Sequence, residues 1–68
     1  VRAAIENLVR EMVSKGILYE DAVREFERRF LQCALDAAEG NIGRAAARMG
    51  VHRNTFSRKM DEYGIRKS

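Results

Sequence analysis

Between His52 and Lys59 the chain reads His-Arg-Asn-Thr-Phe-Ser-Arg-Lys, the densest group of polar, hydrogen-bonding side chains in its 68 residues. Arginine can bond bidentately to guanine, and asparagine can do the same to adenine. Threonine can bond a phosphate or touch a thymine methyl. Arg58 and Lys59 suit backbone phosphates, which set affinity and salt dependence more than sequence choice. Catalytic chemistry is poorly served by comparison. Cys33 and His52 are the single cysteine and single histidine, and neither has a base, acid or third group at a spacing that would activate it. One Cys and one His also fall short of the four ligands of a closed metal site. The chain is thus expected to be no enzyme, with no cofactor and no metal.

Charge is distributed unevenly. Residues 1–43 carry six basic and eight acidic side chains, net −2, whereas residues 44–68 carry seven basic and two acidic, net +5, together the chain's +3. A polyanionic partner for the C-terminal part follows. No apolar run approaches the roughly 20 residues of a membrane span, and no signal-peptide pattern is present. An unpaired cysteine suits a reducing compartment.

Glycines divide the proline-free chain into four predicted helices. The first spans Arg2 to Ser14, with Ile5, Leu8, Val9, Met12 and Val13 on one stripe. Ile17, Leu18 and Tyr19 form an apolar connector that either folds over the core or meets a second subunit. The second helix runs from Glu20 to Glu39. Its expected inward stripe is Ala22, Val23, Phe26, Phe30, Cys33, Ala34 and Ala37, with Leu31 and Leu35 as a flank. That arc is wider than one neighbouring helix covers. A homodimer seam drawn from Ile5, Leu8, Val9, Met12, Leu18, Val23, Phe26 and Phe30 is the economical explanation. A monomeric bundle, with the first helix laid over the exposed flank, is the alternative. Phe26, Phe30 and Cys33 are expected in a buried core.

Asn41 is a good N-cap for a third helix, Ile42 to Met49, slimmed by Ala45, Ala46 and Ala47. Gly50 and Val51 make the turn. The fourth helix begins at His52 or Arg53 and ends at Tyr63, with Phe56 and Met60 inward and Tyr63 half-exposed. Gly64 terminates it, Ile65 packs back, and Arg66-Lys67-Ser68 forms a basic tail. This is a helix-turn-helix. Its second helix puts His52, Arg53 and Asn54 nearest the base edges, with Thr55 and Arg58 one turn further. Asn41, the Gly43 N–H and Arg44 form a phosphate clamp. His52 is equally suited to capping its helix, Thr55 to bonding its own backbone, and Arg48 to complementing a helix dipole.

The runs Gly40-Asn41-x-x-Arg44-Ala45-Ala46 and Arg53-x-Thr55-x-x-Arg58-Lys59, closed by Tyr63-Gly64-Ile65, closely resemble the Fis-type DNA-binding domain. That domain occurs in the factor for inversion stimulation and at the C-terminus of NtrC-like activators of the sigma-54 polymerase. The resemblance covers residues 20–65 strongly and 1–19 more loosely. It implies an all-α domain over residues 1–68, with dimerisation helices in 1–39 and a helix-turn-helix in 41–64. It further implies an intertwined homodimer that binds double-stranded DNA in the bacterial cytoplasm, at the nucleoid, and regulates transcription. The family's DNA-contacting positions match Asn41, Arg44, Arg53, Thr55, Arg58 and Lys59. His52 stands where relatives commonly have Asn or Ser, and Gly43 where they often have Thr. In Fis the paired reading helices sit closer than one turn of straight B-DNA, about 34–36 Å, so bending is implied. A start at Val1 rather than Met favours a module of a longer two-component activator, with an ATPase or receiver domain upstream. A stand-alone Fis-like protein is the runner-up, and a pure dimerisation module a further alternative.

Overall fold

In a computed structural model, which describes residues 1–66, the chain forms four helices: α1 (Arg2–Ser14), α2 (Tyr19–Ala37), α3 (Ile42–Met49) and α4 (Arg53–Tyr63). The expected bounds of α1, α3 and α4 agree with these. Helix α2 starts at Tyr19 and stops at Ala37 rather than Glu39. Its stop is a turn in which Glu39 (φ 53°) and Gly40 (φ 81°) are both left-handed. The Gly40 N–H reaches back to the Leu35 carbonyl at 2.9 Å, satisfying a carbonyl that the helix end leaves free. Part of the expected basic tail, Lys67 and Ser68, lies outside the described residues.

The core sits where α2, α3 and α4 meet. Leu31, Leu35 and Ala38 come from α2 and its C-cap, Ala45 and Ala46 from α3, Phe56, Met60 and Tyr63 from α4, and Ile65 from the segment after it. Phe56 and Leu31 are fully enclosed. Ala34, Ile42, Met49 and Val51 pack around this cluster. Small alanines on α3 let its two neighbours approach closely, as the steep crossing of a helix-turn-helix requires.

Two expectations are corrected here. The face of α2 that enters the chain's own core is Leu31, Leu35 and Ala38, spaced i, i+4, i+7; these include the two leucines of the expected flank. Of the expected inward stripe only Ala34 packs against the core; Val23 is 46%, Phe26 54% and Phe30 47% exposed, and Cys33 and Ala37 are exposed. A helix with apolar residues on two sides has two candidate inner faces, and α3 and α4 fold back onto the leucine face. Tyr63 is also more enclosed than expected, at 9% exposure, because it joins the core cluster.

Helix α1 has no buried residue. With α2 it bounds an open apolar groove of about 860 Å³, lined among others by Ile5, Leu8, Val9, Met12, Phe26 and Phe30. The alternative in which α1 closes over the flank of α2 is not what this chain does by itself. Phe26 and Phe30 form a tilted pair with ring centroids 5.8 Å apart, and both remain half-open. Among the described residues, no helix is long and apolar enough to cross a membrane.

Candidate nucleic-acid interface

Helix α3 is started by Asn41, whose Oδ1 accepts the Arg44 N–H at 2.9 Å. It ends at Gly50, which is left-handed at φ 76°. The Val51 N–H then bonds the Ala46 carbonyl at 3.0 Å, and this closure sets the direction in which the chain enters α4. His52 caps α4: its Nδ1 accepts the Asn54 N–H at 3.0 Å. An Nδ1 that accepts leaves the ring proton on Nε2, so the outer edge of the imidazole presents a donor. The capping role weighed for His52 is the one observed, and it leaves only that outer nitrogen for a partner.

From this start, α4 sorts its side chains by helical spacing. Phe56, Met60 and Tyr63 point inward, and Arg53, Asn54 and Arg58 are exposed, with Thr55 half-buried. Arg53 lines a polar hollow of about 460 Å³ together with Glu39, Gly40, Asn41, Ile42 and Gly43. The geometry thus brings the N-terminus of α3 and the first turn of α4 to one concavity. Backbone N–H groups at a helix start, an amide and a guanidinium are what a phosphate needs there. Arg44 and Arg58 are exposed outside the hollow. Among the described residues no carboxylate forms an ion pair with Arg44, Arg53 or Arg58, whereas Glu11, Glu25 and Glu27 are paired with Lys15, Arg29 and Lys59.

Lys59 differs from its neighbours. Its Nζ is 2.9 Å from Glu27 on α2, and its side chain is 30% exposed. Glu27 also accepts a short hydrogen bond from the Tyr63 hydroxyl. Arg28 donates to the Tyr63 carbonyl at 3.0 Å, and Arg24 stands over the Tyr63 ring, 5.7 Å from its centroid. The Lys59 hydrogen bond, then that of Tyr63, hold the Glu27 carboxyl below its ordinary range. The same bond to Glu27, then burial, pushes the Tyr63 phenol above its own. Sequence reasoning missed this link between α2 and α4. A signal was present: Arg24, Glu27 and Arg28 precede Leu31 by seven, four and three residues, and so share the face that meets α4.

Among the described residues, no group of three or more His, Cys, Asp or Glu could hold a metal ion. A capped α3, a left-handed glycine turn and an α4 with free basic side chains define a helix-turn-helix of the DNA-reading kind. Residues 22–63 match the family model described as "Bacterial regulatory protein, Fis family", and the chain belongs to that family, whose helix-turn-helix domains bind DNA without catalysis. It is 46% identical over 48 residues to a putative Fis-like DNA-binding protein of Xylella fastidiosa, covering 71% of this chain and 53% of that protein. It is 31% identical over 67 residues to the DNA-binding protein Fis of Vibrio cholerae, covering 96% of this chain and 68% of that one. The chain therefore spans only about half the length of the Xylella relative. No solved structure matches it.

Proposed function

We propose that the chain binds double-stranded DNA as a homodimer and regulates transcription in the bacterial cytoplasm, in the manner of a small Fis-like protein. The observation that carries this is the pairing of an open basic surface on α4 with an apolar groove on α1 and α2 that the chain leaves uncovered. In this reading Arg53 reads a base edge, helped by Asn54 and by the outer nitrogen of His52, with Thr55 beside them. Asn41, Arg44 and Arg58 hold phosphates. The seam between two copies is built from Ile5, Leu8, Val9, Met12, Val23, Phe26 and Phe30, which share the groove. Leu18, at 70% exposure the N-cap of α2, adds an apolar edge.

The stand-alone Fis-like reading fits better than a module of an NtrC-like activator, because the relatives compared above are Fis and a Fis-like protein. An upstream ATPase or receiver domain, and a link to sigma-54 or two-component control, have no support of their own. Titrating duplexes selected from a random pool with wild type and Arg53→Ala, at two salt concentrations, tests the proposal. Wild type should bind with a marked salt dependence. Arg53→Ala should lose about 1–3 kcal/mol and discriminate less at one position of each half-site. Equal, weak, salt-independent binding by both would sink it. A dimer without affinity for any duplex would favour a pure interaction module.

A further inference from the structure

Lys59 lies next to Arg58 and one turn beyond Thr55, within reach of the surface that α4 would offer to a phosphate backbone. Its ammonium is nonetheless turned away, 2.9 Å from Glu27. We infer that Glu27 withholds Lys59 from DNA, so that α4 presents one cation fewer than its sequence supplies. This inference rests on the DNA-binding reading and names a residue, outside the helix-turn-helix, that sets the strength of its grip.

Three features support it. First, the pair is neither sealed nor loose: the Lys59 and Glu27 side chains are 30% and 32% exposed. An ion pair at such a rim contributes little to folding, so a phosphate can compete for the lysine. Second, Glu27 is fixed in place by the Tyr63 hydroxyl, so the carboxylate waits in the right position while the four-carbon stem of the lysine can swing. Third, Arg24 and Arg28 attend the same tyrosine, at its ring and its carbonyl. Tyr63, which holds Glu27 in position, is thus itself braced from α2. Without the Glu27 charge, Lys59 loses the attraction that holds it against α2. The lowered carboxyl pKa of Glu27 keeps the withholding charge in place at neutral pH.

The test measures duplex affinity against salt for wild type, Glu27→Gln and Glu27→Asp, each also in a Lys59→Met background. Circular dichroism melts confirm that the variants fold. Glu27→Gln keeps an acceptor for Tyr63 but removes the charge. It should bind several-fold tighter, with the slope of log K against log salt steeper by about 0.9, the value of one added phosphate contact. Glu27→Asp keeps the charge but shortens its reach, and should shift in the same direction by less. Should Glu27→Gln fail to fold, Glu27→Asp alone decides. Both gains should vanish in the Lys59→Met background. An unchanged slope in the folded Glu27 variants overturns the inference, as does a gain that persists in the Lys59→Met background, since it would then come from the general field. A wild-type chain without duplex affinity would instead remove the DNA-binding reading itself.

Discussion

Asn41 and Arg53 meet at one hollow from two helices, and only one of them is also structural. Asn41 satisfies an N–H at the start of α3, whereas Arg53 carries no such duty. Asn41→Ala should therefore lower stability by about 1 kcal/mol as well as weakening DNA binding, while Asn41→Ser should retain the cap; thermal melts with and without duplex separate the two effects. Phe56 is the opposite case, wholly internal at 0% exposure. Phe56→Ala should cost about 3–5 kcal/mol, much of what a domain this small has, and circular dichroism should show a large loss of helix at 37 °C. The chemistry of Asn41 was legible because capping needs only local sequence. Lys59 was legible as a basic residue but not as an occupied one, because its partner lies 32 positions away on another helix.

At the scale of elements, one turn and one link orient α4. Gly50 is left-handed and nothing stands within 4 Å of where a Cβ would be, so Gly50→Ala incurs only the backbone penalty, about 1–2 kcal/mol, visible as a lower melting temperature. The link from α2 to α4 is pH-dependent on both sides. The folded-state pKa of Glu27 is depressed, so its contribution is present above its unfolded value and is lost as pH falls through the folded one. That of Tyr63 is raised, so its contribution is present below the ordinary phenol value and is lost as pH rises through the folded one. An ion pair this exposed contributes little, so the melting temperature should fall only slightly from this source at each extreme, and Glu27→Gln should flatten the acid limb slightly; an unchanged acid limb would show that the link does not contribute. Helix bounds were legible because periodic stripes and Asn or Gly punctuation are local signals. The assignment of faces on α2 was not. Spacing says that Phe26 and Phe30 share a side and that Leu31 and Leu35 share another. Which side meets the rest of the chain depends on how α3 and α4 fold back, and no local pattern encodes that.

For the whole molecule the unequal covering of its two halves matters most. Helices α3 and α4 and the end of α2 enclose a core within one chain, whereas α1 has no buried residue. Phe30→Ala should accordingly spare the helix-turn-helix and act on association, weakening the proposed dimer by about 2 kcal/mol or more. Sedimentation should show dissociation at a higher protein concentration than for wild type, and melting should depend on concentration. A monomer of unchanged stability in both would remove the seam. The open α1 groove also ties output to supply. If two chains must meet before α1 is covered and two reading helices are joined, the population able to occupy a site rises with the square of chain concentration while dimers are scarce. Doubling the number of chains would then nearly quadruple the DNA-competent species, so that synthesis and dilution at cell division would act as an input signal without any ligand.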